Sequence, residues 1–192
     1  MSVSPGVIQR LLVVALFGST TLLPPTLWSV TRNPPPNAEV AAQLDAANAE
    51  AAELARNADE MTSLLHNDVS WQSHAEMLSQ IKDHVNNMGR ITAKLLEERD
   101  AASPWQQQAI DRMVPMLKEI ATNTTAAIEH LNQNHERPTT PDYVEYLQQN
   151  ADTSHELADM ISAFDQYGRE RTKLERLQDK IEAPGSLAGS TK

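Results

Sequence analysis

The chain has 192 residues, room for one ordinary domain, with 4% aromatic residues and six glycines. Ala, Leu, Gln, Glu and Asp prevail, the mix of a helical protein with an aliphatic core. Its formal net charge is −10, from 16 basic and 26 acidic side chains. Arg10 and Arg32 are the only charged residues before position 33, so residues 33–192 carry 14 basic against 26 acidic groups, a net of −12. That excludes nucleic acid and anionic membrane surfaces as partners, because both demand clustered Lys and Arg. The absence of cysteine excludes disulfides, thiolate metal sites, covalent haem attachment and lipidated-cysteine anchors.

Residues 1–32 open with a single basic residue, Arg10, followed by an apolar run at 11–17 that extends weakly to Leu23. This is the n-region and h-region pattern of an export signal. The run from 11 to 23 is shorter than the roughly 20 residues a spanning helix needs, which favours cleavage. Trp28 and Arg32 would also suit a membrane surface behind an uncleaved anchor. The expected compartment is therefore extracytoplasmic, periplasmic or secreted. Residues 33–37, "NPPPN", read as a stiff extended linker, since proline fixes its own dihedral and restricts the residue before it. Residues 184–192 have the small, turn-rich composition of a disordered tail.

Between these ends four helices are predicted. From a cap at Asn37, apolar positions run Val40, Leu44, Ala47, Ala51, Leu54, Ala58, Met61 and Leu65, an unbroken alternation of four and three. After "HNDVS", where Asp68 or Ser70 can cap, the second helix continues through Trp71, His74, Leu78, Ile81, Val85, Met88, Thr92 and Leu95. The third starts at "SPWQ", with Ser103 as cap, Pro104 at the first helical position and Gln106 completing a capping box. Its seam is Ile110, Met113, Leu117, Ile120, Thr124, Ala127 and Leu131. Pro115 should kink it by crowding the carbonyl of Asp111. Gly89 on the second helix lies level with it, as if making room.

The fourth helix starts from Thr140 and Pro141. Its seam runs Tyr143, Leu147, Asn150, Ser154, Leu157, Ile161, Phe164 and Gly168, and the pattern persists as Leu174, Leu177 and Ile181. The fold class this predicts is all-α: an antiparallel up-down-up-down four-helix bundle over 38–183, with a long C-terminal helix. That helix should overhang the third by about 18 Å. Packing of its end on the linker is the simplest expectation; a homodimer or partner contact is the functional one.

The six histidines do not form an obvious metal site. His74 and His84 stand ten residues apart, about 15 Å along a helix axis, too far for one ion. His74 occupies the seam, His84 and His130 flank it, His66 and His155 point outward, and His135 ends the third helix. A ferritin-like di-iron centre requires inward E-x-x-H motifs, and no Glu stands three before any histidine; Asp152, His155 and Asp159 offer at most a surface clip. The architecture resembles that of the b-type cytochrome bundles, which hold haem b between a methionine and a histidine on different helices. That resemblance is one of fold class alone, with Met61 and His74 as an example of such a pair. Nucleophile elbows, phosphate loops and catalytic cysteines are missing.

The seam is interrupted by polar residues near one bundle end: His74, Thr124, His130 and Asn150, with Ser154 one turn further in and Tyr143 and Tyr146 toward the rim. Buried polar groups must bond one another, so a network is expected. Its purpose would be to fix helix register, or to bind a small polar ligand. The expected function is that of a non-enzymatic, envelope-associated interaction protein acting through an acidic surface, with a small-ligand or haem carrier as the alternative.

Overall fold

The computed structural model describes residues 35–67, 69–137 and 139–182. The export-signal or anchor reading of 1–32 and the tail reading of 184–192 lie outside them. The helices are α1 (Ala38–Leu64), α2 (Trp71–Glu97), α3 (Pro104–Gln133) and α4 (Pro141–Glu182), with one 3-10 turn, Arg99–Ala101, between α2 and α3. Among the described residues there is no strand. Consecutive helices pack side by side and α4 closes on α1, while the diagonal pairs scarcely meet. The protein is thus an all-α antiparallel four-helix bundle.

Each start is set by its local sequence. Asn37 Oδ1 accepts the N–H groups of Glu39 at 2.9 Å and Val40 at 3.3 Å, satisfying donors that a helix start leaves open. Ser70 caps α2 through the Ser73 N–H, and Thr140 caps α4 through the Tyr143 N–H, each at 3.4 Å; Asp68 lies outside the described residues. At α3, Gln106 Oε1 accepts the Ser103 N–H at 3.0 Å and the Ser103 hydroxyl at 2.9 Å. The same amide does more than the box requires. Its Oε1 accepts the Asn37 N–H at 2.9 Å and its Nε2 donates to the Asn37 carbonyl at 2.8 Å, so the start of α1 is bonded both ways to the start of α3.

The seams of α1, α2 and α3 form the core, with only Leu65, Trp71 and Val85 half-buried. Met77, Ala55, Ala109 and Met160 join them from adjacent positions, because a helix inside a square bundle touches two neighbours and needs an apolar face wider than a two-residue seam.

Helix α3 continues through Pro115, which is exposed together with Asp111, so the carbonyl that loses its helical donor faces water. The expectation about Gly89 is corrected. Gly89 makes room for nothing: a Cβ built there meets no atom within 4 Å. The glycine that does make room is Gly168, where a Cβ would stand 2.6 and 2.9 Å from ring carbons of Trp105. The end of α4 also departs from the linker-packed expectation. The linker is held at Gln106, and Leu174, Leu177 and Ile181 stay 61%, 48% and 82% exposed.

Candidate functional site

Tyr143, in the first turn of α4, is fully buried rather than at the rim, and it organises the polar end of the bundle. Its hydroxyl lies 3.2 Å from His74 Nδ1. Since α2 and α4 are diagonal neighbours, this bond crosses the middle of the bundle. Burial pushes the Tyr143 pKa well up and that of His74 down from 6.5, because desolvation disfavours each charged form. Both groups are therefore neutral near pH 7 and share one uncharged hydrogen bond. The His74 ring meets the Tyr143 ring edge-on at 5.7 Å, and half-buried His130 stacks on Tyr143 at 5.4 Å. His130 Nε2 reaches Thr140 Oγ1 at 3.0 Å.

The five predicted residues do not form one network. Asn150 Nδ2 donates to Thr124 Oγ1 at 2.9 Å, a bond between α4 and α3 separate from the Tyr143 group. Asn150 Oδ1 and Ser154 Oγ, one turn apart on α4, are buried without a protein partner. The division follows from reach: short side chains on packed helices bond only the residue directly opposite. The sequence signal for this group is Tyr143 itself, since a tyrosine on a seam near a helix start brings a hydroxyl that must find a partner when buried. Tyr146 stays half-buried. At the same end His135 stacks on Trp71 at 4.3 Å.

Two of the remaining histidines, His84 and His155, are engaged in pairs with acidic residues. His84 Nδ1 lies 2.6 Å from Glu50 Oε1, which also accepts from Asn87 at 2.8 Å. His155 Nε2 lies 2.8 Å from Asp59 of α1, so it faces across to a neighbouring helix rather than to Asp152 and Asp159. Among the described residues no group of three or more His, Asp and Glu side chains is placed to hold a metal ion.

The opposite end carries one further buried ionisable group. Asp165 on α4 is 7% exposed. Its pKa is raised above 3.8, chiefly by desolvation and then by a hydrogen bond shared with Asp45 of α1, while Arg169 pulls the other way. Trp105 lies beside it against Gly168.

From this end outward the α4 surface changes character. Between α3 and α4 runs an open groove of about 880 Å³, floored by Trp105, Met116, Met160, Phe164 and Tyr167 and rimmed by Glu156 and Asp159. Arg112 lies over the Phe164 ring at 5.8 Å. Past Gly168 no helix among the described residues flanks α4 on the α3 side, because α3 starts at Pro104 and Trp105 already packs on Gly168. Tyr167, Leu174, Leu177 and Ile181 are exposed there, four of the six large apolar side chains exposed among the described residues. At about 100° per residue they continue the face of α4 that floors the groove.

The class that fold and surface define is an all-α four-helix bundle with one exposed apolar helix face. No protein-family model, no curated protein and no solved structure matches the chain.

Proposed function

We propose that this chain is an exported, non-enzymatic interaction module that engages a protein through the apolar face of α4. The observation that carries this reading is the run Tyr167, Leu174, Leu177 and Ile181, 48–82% exposed on a helix that projects past its bundle. Scattered single apolar residues need no explanation, but a contiguous stripe on one helix does. An amphipathic helix and an adjoining apolar groove are the two halves of a common recognition mode. The acidic bundle supplies the solvated remainder of the surface. Export rests on Arg10 and the apolar run at 11–23. No helix among the described residues is long and apolar enough to cross a membrane.

The interior is better suited to fixing register than to carrying a small ligand or haem b. His74 is 1% exposed and bonded to Tyr143, and Thr124 is bonded to Asn150.

The test is photocrosslinking in the producing cell, with a crosslinking amino acid at Leu177 or, as a control, at Gln80 on the exposed side of α2. A protein adduct of defined mass is expected from position 177 and none from 80. Equal adducts from both positions, or none from 177, would overturn the reading. So would a Soret band or extra bound mass in the purified chain.

A further inference from the structure

The apolar face of α4 reads the same in both directions. Met160, Phe164, Tyr167, Leu174, Leu177 and Ile181 are separated by 4, 3, 7, 3 and 4 residues, symmetric about the midpoint between Glu170 and Arg171. A two-fold contact between identical helices requires that property, since residue i meets j while j meets i. We infer that the face docks a second copy of this chain, α4 against α4 and antiparallel, an inference that rests on the interaction reading above.

Residues at equal distances from the midpoint then face each other. Tyr167 meets the second copy's Leu174, Phe164 meets its Leu177, and Met160 meets its Ile181. At the centre Glu170 meets Arg171 of the second copy twice over, an opposite-charge pair on each side of the axis. At about 100° per residue the six apolar positions fall within about 140° of arc, a face one partner helix can cover. The contact is open along its centre before docking: Tyr167 is 51% exposed and Leu174 61% exposed, while half-buried Phe164 and the buried Met160 lie in the floor of the open groove.

Charge favours the same occupant. Residues 33–168 hold 8 basic and 22 acidic side chains, a net of −14, whereas residues 169–182 hold 5 basic and 4 acidic, a net of +1. The antiparallel arrangement lays the basic-leaning projection of each copy along the other's groove. It also places the two acidic bundles end to end rather than side by side. The paired segment, from Asp159 to Glu182, is about 36 Å long at the helical rise. A strip of that length and one helix wide lies at the small end of specific interfaces, so the dimer should dissociate on dilution.

The chain has no cysteine, which permits a direct test of register. Single variants Tyr167→Cys and Leu174→Cys of the full chain are oxidised alone and mixed, beside sedimentation of the unmodified protein over a range of concentrations. A concentration-dependent dimer is expected, with disulfide formed in the mixture at least ten-fold faster than in either variant alone, because like positions stand seven residues apart along the pair. Leu174→Asp with Leu177→Asp, both exposed in one copy, should leave the circular dichroism unchanged and weaken dimerisation at least ten-fold. A dimer that survives this change, or that crosslinks equally well without mixing, overturns the inference. A monomer at every concentration also overturns it: with a heterologous adduct from position 177 the interaction reading stands, and with no adduct both fall.

Discussion

Tyr143 and His74 share one of two buried hydrogen bonds that join helices within a mostly aliphatic core, the other being Asn150 to Thr124. Each is a polar group that burial would penalise, and each removes the other's penalty. Tyr143→Phe leaves His74 Nδ1 without its partner and is expected to cost about 1–3 kcal/mol in urea unfolding. His74→Leu similarly strands the phenol, while the double variant should cost less than the sum of the singles, the coupling that a double-mutant cycle reads. The same pair gives a pH signature. The pKa of His74 is lowered in the folded state, so the unfolded chain takes up its proton first. Its stabilising contribution is complete above about pH 6.5 and is lost as pH falls from there toward the folded value. Asp165, raised above 3.8, acts in the opposite sense, gaining stability as pH falls through its folded value. The double variant should lose the His74 slope and keep that of Asp165. The glycines provide a second contrast at this scale. Gly89→Ala meets open space on an exposed helix face and should stabilise by about 0.4–1 kcal/mol. Gly168→Ala drives a methyl into the Trp105 ring and should destabilise by about 1–3 kcal/mol, both read from the urea midpoint.

Among the elements, α4 is the exception. It has 42 residues where α3 has 30, and the surplus lies beyond the point where Trp105 packs on Gly168. Where no other described helix packs against it, a helix depends on its own propensity and ion pairs, which are marginal at this length. The pairs are present: Arg171 to Glu175 at 3.1 Å and Lys173 to Glu170 at 3.9 Å. Amides of residues 172–182 are therefore expected to exchange faster than those of 147–165 in dilute protein. They should gain protection as concentration rises if a second copy covers them. Uniform protection along α4, independent of concentration, would show that the projection is held in some other way. The other helix starts needed no such support, because Asn37, Ser70, Ser103 with Gln106, and Thr140 supply local partners. Those caps could be read directly from residue type and spacing.

For the whole molecule, the sequence by itself determined four helices, their order, their caps and the core seams as far as Gly168. Each of these follows from spacing along one chain, where a period of 3.6 residues and a capping side chain act within a few positions. It also determined the charge balance, with an acidic bundle joined to a projection that leans basic. Only the tertiary structure decided what lay across the bundle. It chose Tyr143 as the partner of His74, split the polar interruption into two separate groups, gave Gln106 its bonds to Asn37, and made Gly168 rather than Gly89 the site of close approach. It also left Leu174, Leu177 and Ile181 uncovered, although their spacing matches that of residues buried earlier in α4. The physical reason is the same in each case. Periodicity states which side of a helix is apolar, but burial, close approach and hydrogen bonding depend on what another helix places opposite. At the end of α4 no other helix among the described residues is there.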